Sequence, residues 1–306
     1  MQNEERHDDA RPLAGRVAVV TGASRGAGKG IAIELGAAGA TVYVTGRSTR
    51  KEGAPAAYAD IMRLSNLSGM PGTVEDTALE VTRAGGHGVA CVCDHSSEEQ
   101  VADLFQRLSR NEKRLDLLVN NAWGGHEVFD GVFEAPFWER PLSEWDAMID
   151  RGVRNHWLAS RQAAPIFVAQ RSGLVVTTTF WDRGRYLRGN LLYDLAKSAM
   201  SRLAFAVAEE LRAYGVASVA LSPGWMRTEL VLAGNGTDEA RWQEVPALAQ
   251  TESPRYLGRA VVALARDEGV LARTGQTLRV ADLARELGFT DLDGRWVPPF
   301  ELPEHH

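Results

Sequence analysis

Tyr193 and Lys197, in the stretch Tyr193-Asp194-Leu195-Ala196-Lys197, have the types and the spacing to do acid–base chemistry on an oxygen atom. Four residues apart on a helix, they share one face and lie one turn from each other. An ammonium group beside a phenol favours the phenolate, which predicts a lowered pKa for Tyr193. Bringing a phenol from about 10 to near 7 takes roughly 4 kcal/mol of differential stabilisation. One close cation and the positive end of a helix can supply that. The product suits proton transfer to or from an alcohol oxygen. A Tyr and a Lys simply stacked along a helix surface would look the same, so the rest of the chain has to decide.

A second chemical element lies near the start. The apolar run Val17-Ala18-Val19-Val20 leads into Thr21-Gly22-Ala23-Ser24-Arg25-Gly26-Ala27-Gly28, and a helical pattern with Ile31, Ile33 and Leu35 follows. Glycines at 22, 26 and 28 between a strand and a helix let the backbone approach a dinucleotide's pyrophosphate. The helix start, with Ser24 and Arg25 in the loop before it, adds N–H donors and a positive dipole. The second strand, Val42-Tyr43-Val44-Thr45, ends in Gly46-Arg47-Ser48. An NAD site usually places a carboxylate there to hold the ribose hydroxyls. Arg47 stands there instead, with Arg25 in the glycine loop, and a guanidinium offers a charge-assisted grip on a 2′-phosphate. The expected cofactor is NADP(H).

Further strands are predicted at 41–45, 88–93, 115–119, 174–178, 217–221 and 277–280. Helices are predicted near 76–84, 97–110, 143–171, 194–214 and 254–267. Strand–helix alternation repeated this often implies an α/β, doubly wound parallel sheet, Rossmann-like, of about seven strands flanked by helices. The expected division is a flexible arm over 1–13, one domain over 14–300 and a tail over 301–306. Two segments interrupt the alternation: 49–75, rich in Gly and Pro, and 124–142 after the fourth strand. Long loops at the carboxyl ends of parallel strands are where such folds build sites.

Of the 306 residues, 44% are apolar and 24% charged, enough to bury a substantial core. The net charge of −6 argues against a nucleic-acid surface. With no apolar run of membrane-spanning length and a polar N-terminus without a signal pattern, a cytoplasmic protein with no membrane partner is expected. Cys91 and Cys93, alternating in a strand-like run, read as reduced core residues rather than a disulfide or a metal pair, and no metal site is expected.

Taken in order, Thr-Gly-x-x-x-Gly-x-Gly, Asp94, Asn120-Asn121-Ala122, Tyr193-x-x-x-Lys197 and Pro223-Gly224-Trp225-Met226-Arg227-Thr228 resemble the short-chain dehydrogenase/reductase family. The resemblance runs over roughly residues 14–285, and five motifs in sequence are far more specific than one. It implies that Asp94 and His95 flank the adenine. Asn121, with Ala122, would steady the central strand and the cofactor, and Pro223, Gly224 and Thr228 would close over the nicotinamide and its phosphate. Lys197 would also hold the nicotinamide ribose. Asn155, in the helix between strands four and five, would hold a water that relays protons to Lys197. Helices of this family commonly pair across a two-fold axis, so a homodimer or homotetramer is expected.

One family residue is missing. The catalytic Ser usually ends the fifth strand, thirteen residues before the tyrosine, and that place holds Phe180 in Thr177-Thr178-Thr179-Phe180-Trp181. Phenylalanine cannot hydrogen-bond a carbonyl oxygen. Thr179 is the favoured substitute, with Thr178 or no hydroxyl at all as the alternatives. Trp123, Trp181 and Trp225 sit just past strand ends, where aromatic walls suit an apolar or ring-bearing carbonyl. Residues 226–253 are expected to form a mobile lid over them. The reading is an NADP(H)-dependent oxidoreductase moving a hydride between the nicotinamide and a small carbonyl or alcohol substrate, with Tyr193, Lys197, Asn155 and Thr179 catalytic. A cofactor-binding sensor without turnover, or a non-redox elimination catalyst, remain the rival readings.

Overall fold

The computed structural model describes residues 11–65, 67–128, 132, 134–187 and 189–302. Seven strands, β1 (Val17–Val20), β2 (Thr41–Gly46), β3 (His87–Val92), β4 (Leu117–Asn120), β5 (Gly173–Thr178), β6 (Val216–Ser222) and β7 (Thr277–Arg279), form one sheet. Their order is β3-β2-β1-β4-β5-β6-β7, and every pairing is parallel. The order reverses between β1 and β4, the place where a doubly wound sheet opens a crevice.

The strands are apolar on both faces because both faces are covered. Along β1, Ala18 and Val20 pack into one core with α1 (Gly26–Ala37), and Val17 and Val19 pack into the other. The short α2 (Ala59–Leu64) lies in the excursion after β2, and α3 (Val74–Ala84) shares the α1 face. The opposite face is covered by α4 (Glu98–Asn111) and α6 (Arg154–Gln170), with Leu104, Phe105 and Phe167 fully or nearly fully buried.

The single long helix expected over 143–171 is three pieces. A turn of α5 (Ser143–Trp145) runs into a π-helical segment, Asp146–Val153, before α6 begins. π-Helical turns are uncommon and concentrate at functional sites. The helix bearing Tyr193 is α7 (Leu191–Leu211), capped by Asn190, whose side chain accepts from the Tyr193 backbone N–H. After β6 come α8 (Glu229–Gly234), α9 (Pro254–Arg266) and α10 (Val280–Leu287), of which only α9 was anticipated.

Leu13 is buried in the core and its N–H donates to Ala38, so the described part of the 1–13 arm is docked. At the other end Leu302 donates to Asp182, and Glu301 pairs with Arg183 and Arg279. Residues 1–10 and 303–306 lie outside the described residues. Cys91 and Cys93 are free and buried. No helix among the described residues is long and apolar enough to cross a membrane.

Candidate active site

A cleft of about 380 Å³ opens at the carboxyl ends of the strands, over the β1/β4 reversal. One end of it is made by the glycine loop. Gly22 has φ +65°, a conformation glycine adopts at no steric cost, and a Cβ there would come within 2.8 Å of the Ala122 Cα. At Gly28 a Cβ would lie 2.4 Å from the Gly22 carbonyl. Asn121 ties this loop to β4. Its side-chain amide donates to the Thr21 and Gly22 carbonyls at 3.0 and 3.1 Å, and its backbone N–H donates to the Thr21 hydroxyl at 2.8 Å.

The loop fits a dinucleotide phosphate. The Gly26 N–H, at the start of α1, already donates to a carboxylate oxygen of Glu229 at 2.9 Å, which is the bond a phosphate oxygen would accept there. Arg25 and Arg47 both line the cleft, with Tyr58 beside each guanidinium at 5.3 and 6.0 Å. Arg25 donates to Ser48 and to the Pro71 and Gly72 carbonyls, so the 49–75 excursion is folded over the nucleotide end. Asp94 lines the same end, and His95 is buried with Nε2 2.7 Å from the Thr45 hydroxyl. Burial brings the His95 imidazole down to about 4, which leaves it neutral at physiological pH.

Three residues of this region were not singled out from sequence. Glu127, nearly fully buried, pairs with Arg47 through one oxygen and with Arg151 through the other, the latter at 2.7 Å. Arg47 therefore faces the cleft already balanced by Glu127 and, at 4.0 Å, by Asp94. His126 precedes Glu127 and also lines the cleft. The only signal for His126 and Glu127 was their place in the long loop after β4, and Arg151, in the π-helical segment, had none.

At the chemical end Tyr193, Lys197, Asn155, Thr178, Thr179 and Phe180 all line the cleft. The structure brings the phenol and the ammonium together but reverses one expectation. Burial, not the cation, governs the phenol: the Tyr193 pKa is pushed up to about 12, and the Lys197 pKa falls to about 7. The Lys197 ammonium sits 3.8 Å over the ring centre of Trp123 and 5.4 Å from that of Tyr193. Tyr193 is thus a protonated phenol at neutral pH, an acid rather than a poised phenolate.

Thr179 lines the cleft with its hydroxyl already engaged. Its hydroxyl donates to the Lys197 carbonyl at 2.7 Å, which commits its one proton to α7 rather than to the cleft. Thr178 points its hydroxyl at the Asn120 carbonyl, 3.3 Å away. Phe180 fills the place of the missing Ser, its ring centre 6.2 Å from that of Tyr193 and 5.9 Å from that of Phe300. Asn155 stands at the start of α6 and its amide donates back to the Arg151 carbonyl at 2.8 Å. Its Oδ1 is buried without a protein partner, an acceptor open to a water molecule.

The tryptophans divide. Trp123 and Trp225 line the cleft, Trp225 well exposed. Trp181 does not; its backbone N–H donates to Ser222, and it lines a separate small pocket with Pro299 and Phe300. Pro223, Gly224 and Thr228 line the cleft opposite the glycine loop. The segment expected to be a mobile lid has its own apolar cluster of Leu232, Trp242 and Leu248. It is pinned by the buried Arg227, which pairs with Asp291 at 3.2 Å, donates to the Thr251 carbonyl and lies 4.2 Å from the Trp242 ring centre.

A reversal-point cleft with this glycine loop and a Tyr/Lys pair on α7 is the arrangement of a Rossmann-type oxidoreductase. The chain belongs to the short-chain dehydrogenase/reductase family. The family model described as enoyl-(acyl carrier protein) reductase matches residues 67–282. Dehydrogenase/reductase SDR family member 1 of Mus musculus is 40% identical over 295 residues, covering 94% of this chain and 87% of the relative. Its Homo sapiens counterpart is 37% identical, covering 95% and 88%. Among solved structures, a short-chain dehydrogenase from Mycobacterium thermoresistibile is 28% identical, covers 95% of this chain and 94% of its own, and has a TM-score of 0.75. A Beutenbergia cavernae protein assigned as an NAD(P)-dependent gluconate 5-dehydrogenase, with NADP bound at low occupancy, is 29% identical, covers 88% and 96%, and has a TM-score of 0.66.

Proposed function

We propose that this oxidoreductase uses NADP(H) and acts on an apolar or ring-bearing carbonyl, or on the corresponding alcohol. The observation behind the cofactor choice is the pair of guanidiniums, Arg25 and Arg47, lining the cleft where β2 ends, in the place where a carboxylate would serve NAD. The bound nicotinamide supplies the hydride chemistry. Gly22, Ser24, Gly26 and Gly28 hold the pyrophosphate, Arg25 and Arg47 the 2′-phosphate, and Asp94 and His95 flank the adenine. Asn121, Ala122, Pro223, Gly224 and Thr228 enclose the rest.

Tyr193 gives its proton to the oxygen of the reacting carbonyl. A phenol kept protonated by burial is ready for that direction. Lys197 holds the ribose side of the cleft, and Asn155 places a water through its open Oδ1 for the return of the proton. Thr179 acts by bracing the Lys197 turn through its 2.7 Å bond, not by polarising the carbonyl. Phe180, Trp123 and Trp225 give the carbonyl a largely apolar surround. Such a site in the cytoplasm, in a homodimer or homotetramer, is the whole proposal.

The test is to titrate the purified protein with NADPH and NADH and then offer a panel of ketones, aldehydes and quinones. Tighter NADPH binding, lost selectively in Arg47→Ala, and NADPH oxidation with an apolar member of the panel are the expected results. Equal affinity for the two cofactors would overturn the NADP(H) assignment. Binding without oxidation across the panel would point instead to a sensor.

A further inference from the structure

The indole of Trp123 has a seat made for it. A Cβ at Gly125 would fall 2.5 Å from its ring carbons, and one at Gly152 would fall 2.9 Å from Cζ3. Gly152 belongs to the π-helical segment Asp146–Val153 and Gly125 to the short turn Gly125–Val128, so two separate elements give up a side chain at this ring. The ring's face carries the Lys197 ammonium at 3.8 Å from its centre, and its edge meets the Tyr193 ring at 5.7 Å and 86°. Among the described residues the ammonium donates to the Met200 sulfur, 3.9 Å away, a weak partner. A desolvated ammonium on an indole face is among the stronger cation–π arrangements.

We propose that Trp123 is a positioning residue that acts through Lys197: seated on Gly125 and Gly152, its face fixes where the ammonium lies and favours its charged form beside Tyr193. This rests on the reading of Tyr193 and Lys197 as the acid and its partner. Burial works against the charge of Lys197, and an aromatic face under an ammonium acts in the opposite sense. Among the described residues, three other titratable groups face the lysine. Tyr193 lies on its own helix and is protonated. His126, on the turn after β4, and His156, on α6, are brought by burial to about 4 and about 3, so both are neutral at physiological pH. None supplies a negative charge, which leaves the indole face as the counterweight.

The chain has four lysines, Lys29, Lys51, Lys113 and Lys197, so a protein carrying isotopically labelled lysine gives a simple titration by nuclear magnetic resonance. Lys197 should titrate near 7, apart from the other three. Trp123→Leu should lower its midpoint by roughly one pH unit, and Trp123→Phe, which keeps an aromatic face, should restore most of it. Gly152→Ala touches neither lysine nor tyrosine, yet it should move the midpoint the same way by displacing the ring. The pH profile of turnover should shift alongside. A midpoint that stays put or rises in Trp123→Leu, or a Phe variant that behaves like Leu, overturns the proposal. The titration is read on the protein alone, so it is independent of whether Tyr193→Phe abolishes turnover, which tests the underlying reading.

Discussion

The two ends of the cleft are built from different kinds of interaction. At the nucleotide end the shape is made by main chain: Gly22 and Gly28 bring backbone against backbone, and Asn121 bonds two carbonyls of the loop. At the chemical end side chains do the holding: the Lys197 ammonium on Trp123, Phe180 against Phe300, Arg227 against Asp291 and Trp242. Backbone geometry tolerates few alternatives, so a phosphate site is much the same wherever it recurs. Side-chain packing can be rebuilt for another substrate without disturbing it.

The contrast can be broken first where a single residue holds most. Arg227→Ala leaves Asp291 buried without its cation and should cost about 3–5 kcal/mol of stability, measured by denaturant unfolding. The glycine loop is untouched, so NADPH affinity of the folded fraction should change less than in the next variant. Asn121→Ala strips two backbone carbonyls of their donor and should cost about 1–3 kcal/mol, with a drop in NADPH affinity seen by calorimetry. If Arg227→Ala lowered that affinity more than Asn121→Ala did, the division between the two ends would fail.

A smaller effect concerns Glu252, buried beside the Pro223–Thr228 loop and pushed up by burial to about 8. The folded protein keeps a proton on this carboxyl that the unfolded chain releases near its ordinary value of 4.5. Stability should therefore fall as pH rises from about 4.5 to about 8. Glu252→Gln should flatten that decline in thermal unfolding measured across the window, and a slope unchanged by the substitution would remove Glu252 as its source.

The same contrast explains what could be read in the sequence. Asn121 and Thr21 are 100 residues apart, yet each sits in a motif that identifies itself, so their meeting was foreseeable. Arg47 and Glu127 are 80 apart and Arg227 and Asp291 are 64 apart, and nothing local marks Glu127 or Asp291 as a partner. The strands were legible because a sheet covered on both faces demands continuous apolar runs. The π-helical segment was not, since its composition is that of an ordinary helix. The tyrosine's pKa was misjudged for a related reason: the spacing to Lys197 is visible in the chain, but the burial of both groups and the indole that takes the ammonium are not.

The proton donor is tested most directly by Tyr193→Phe, assayed for NADPH binding and for NADPH oxidation with a carbonyl that the unaltered protein reduces. NADPH affinity within a few-fold of the parent and turnover lower by about 10²–10⁴-fold is the predicted result. Turnover that survives at the parent's rate would contradict the account.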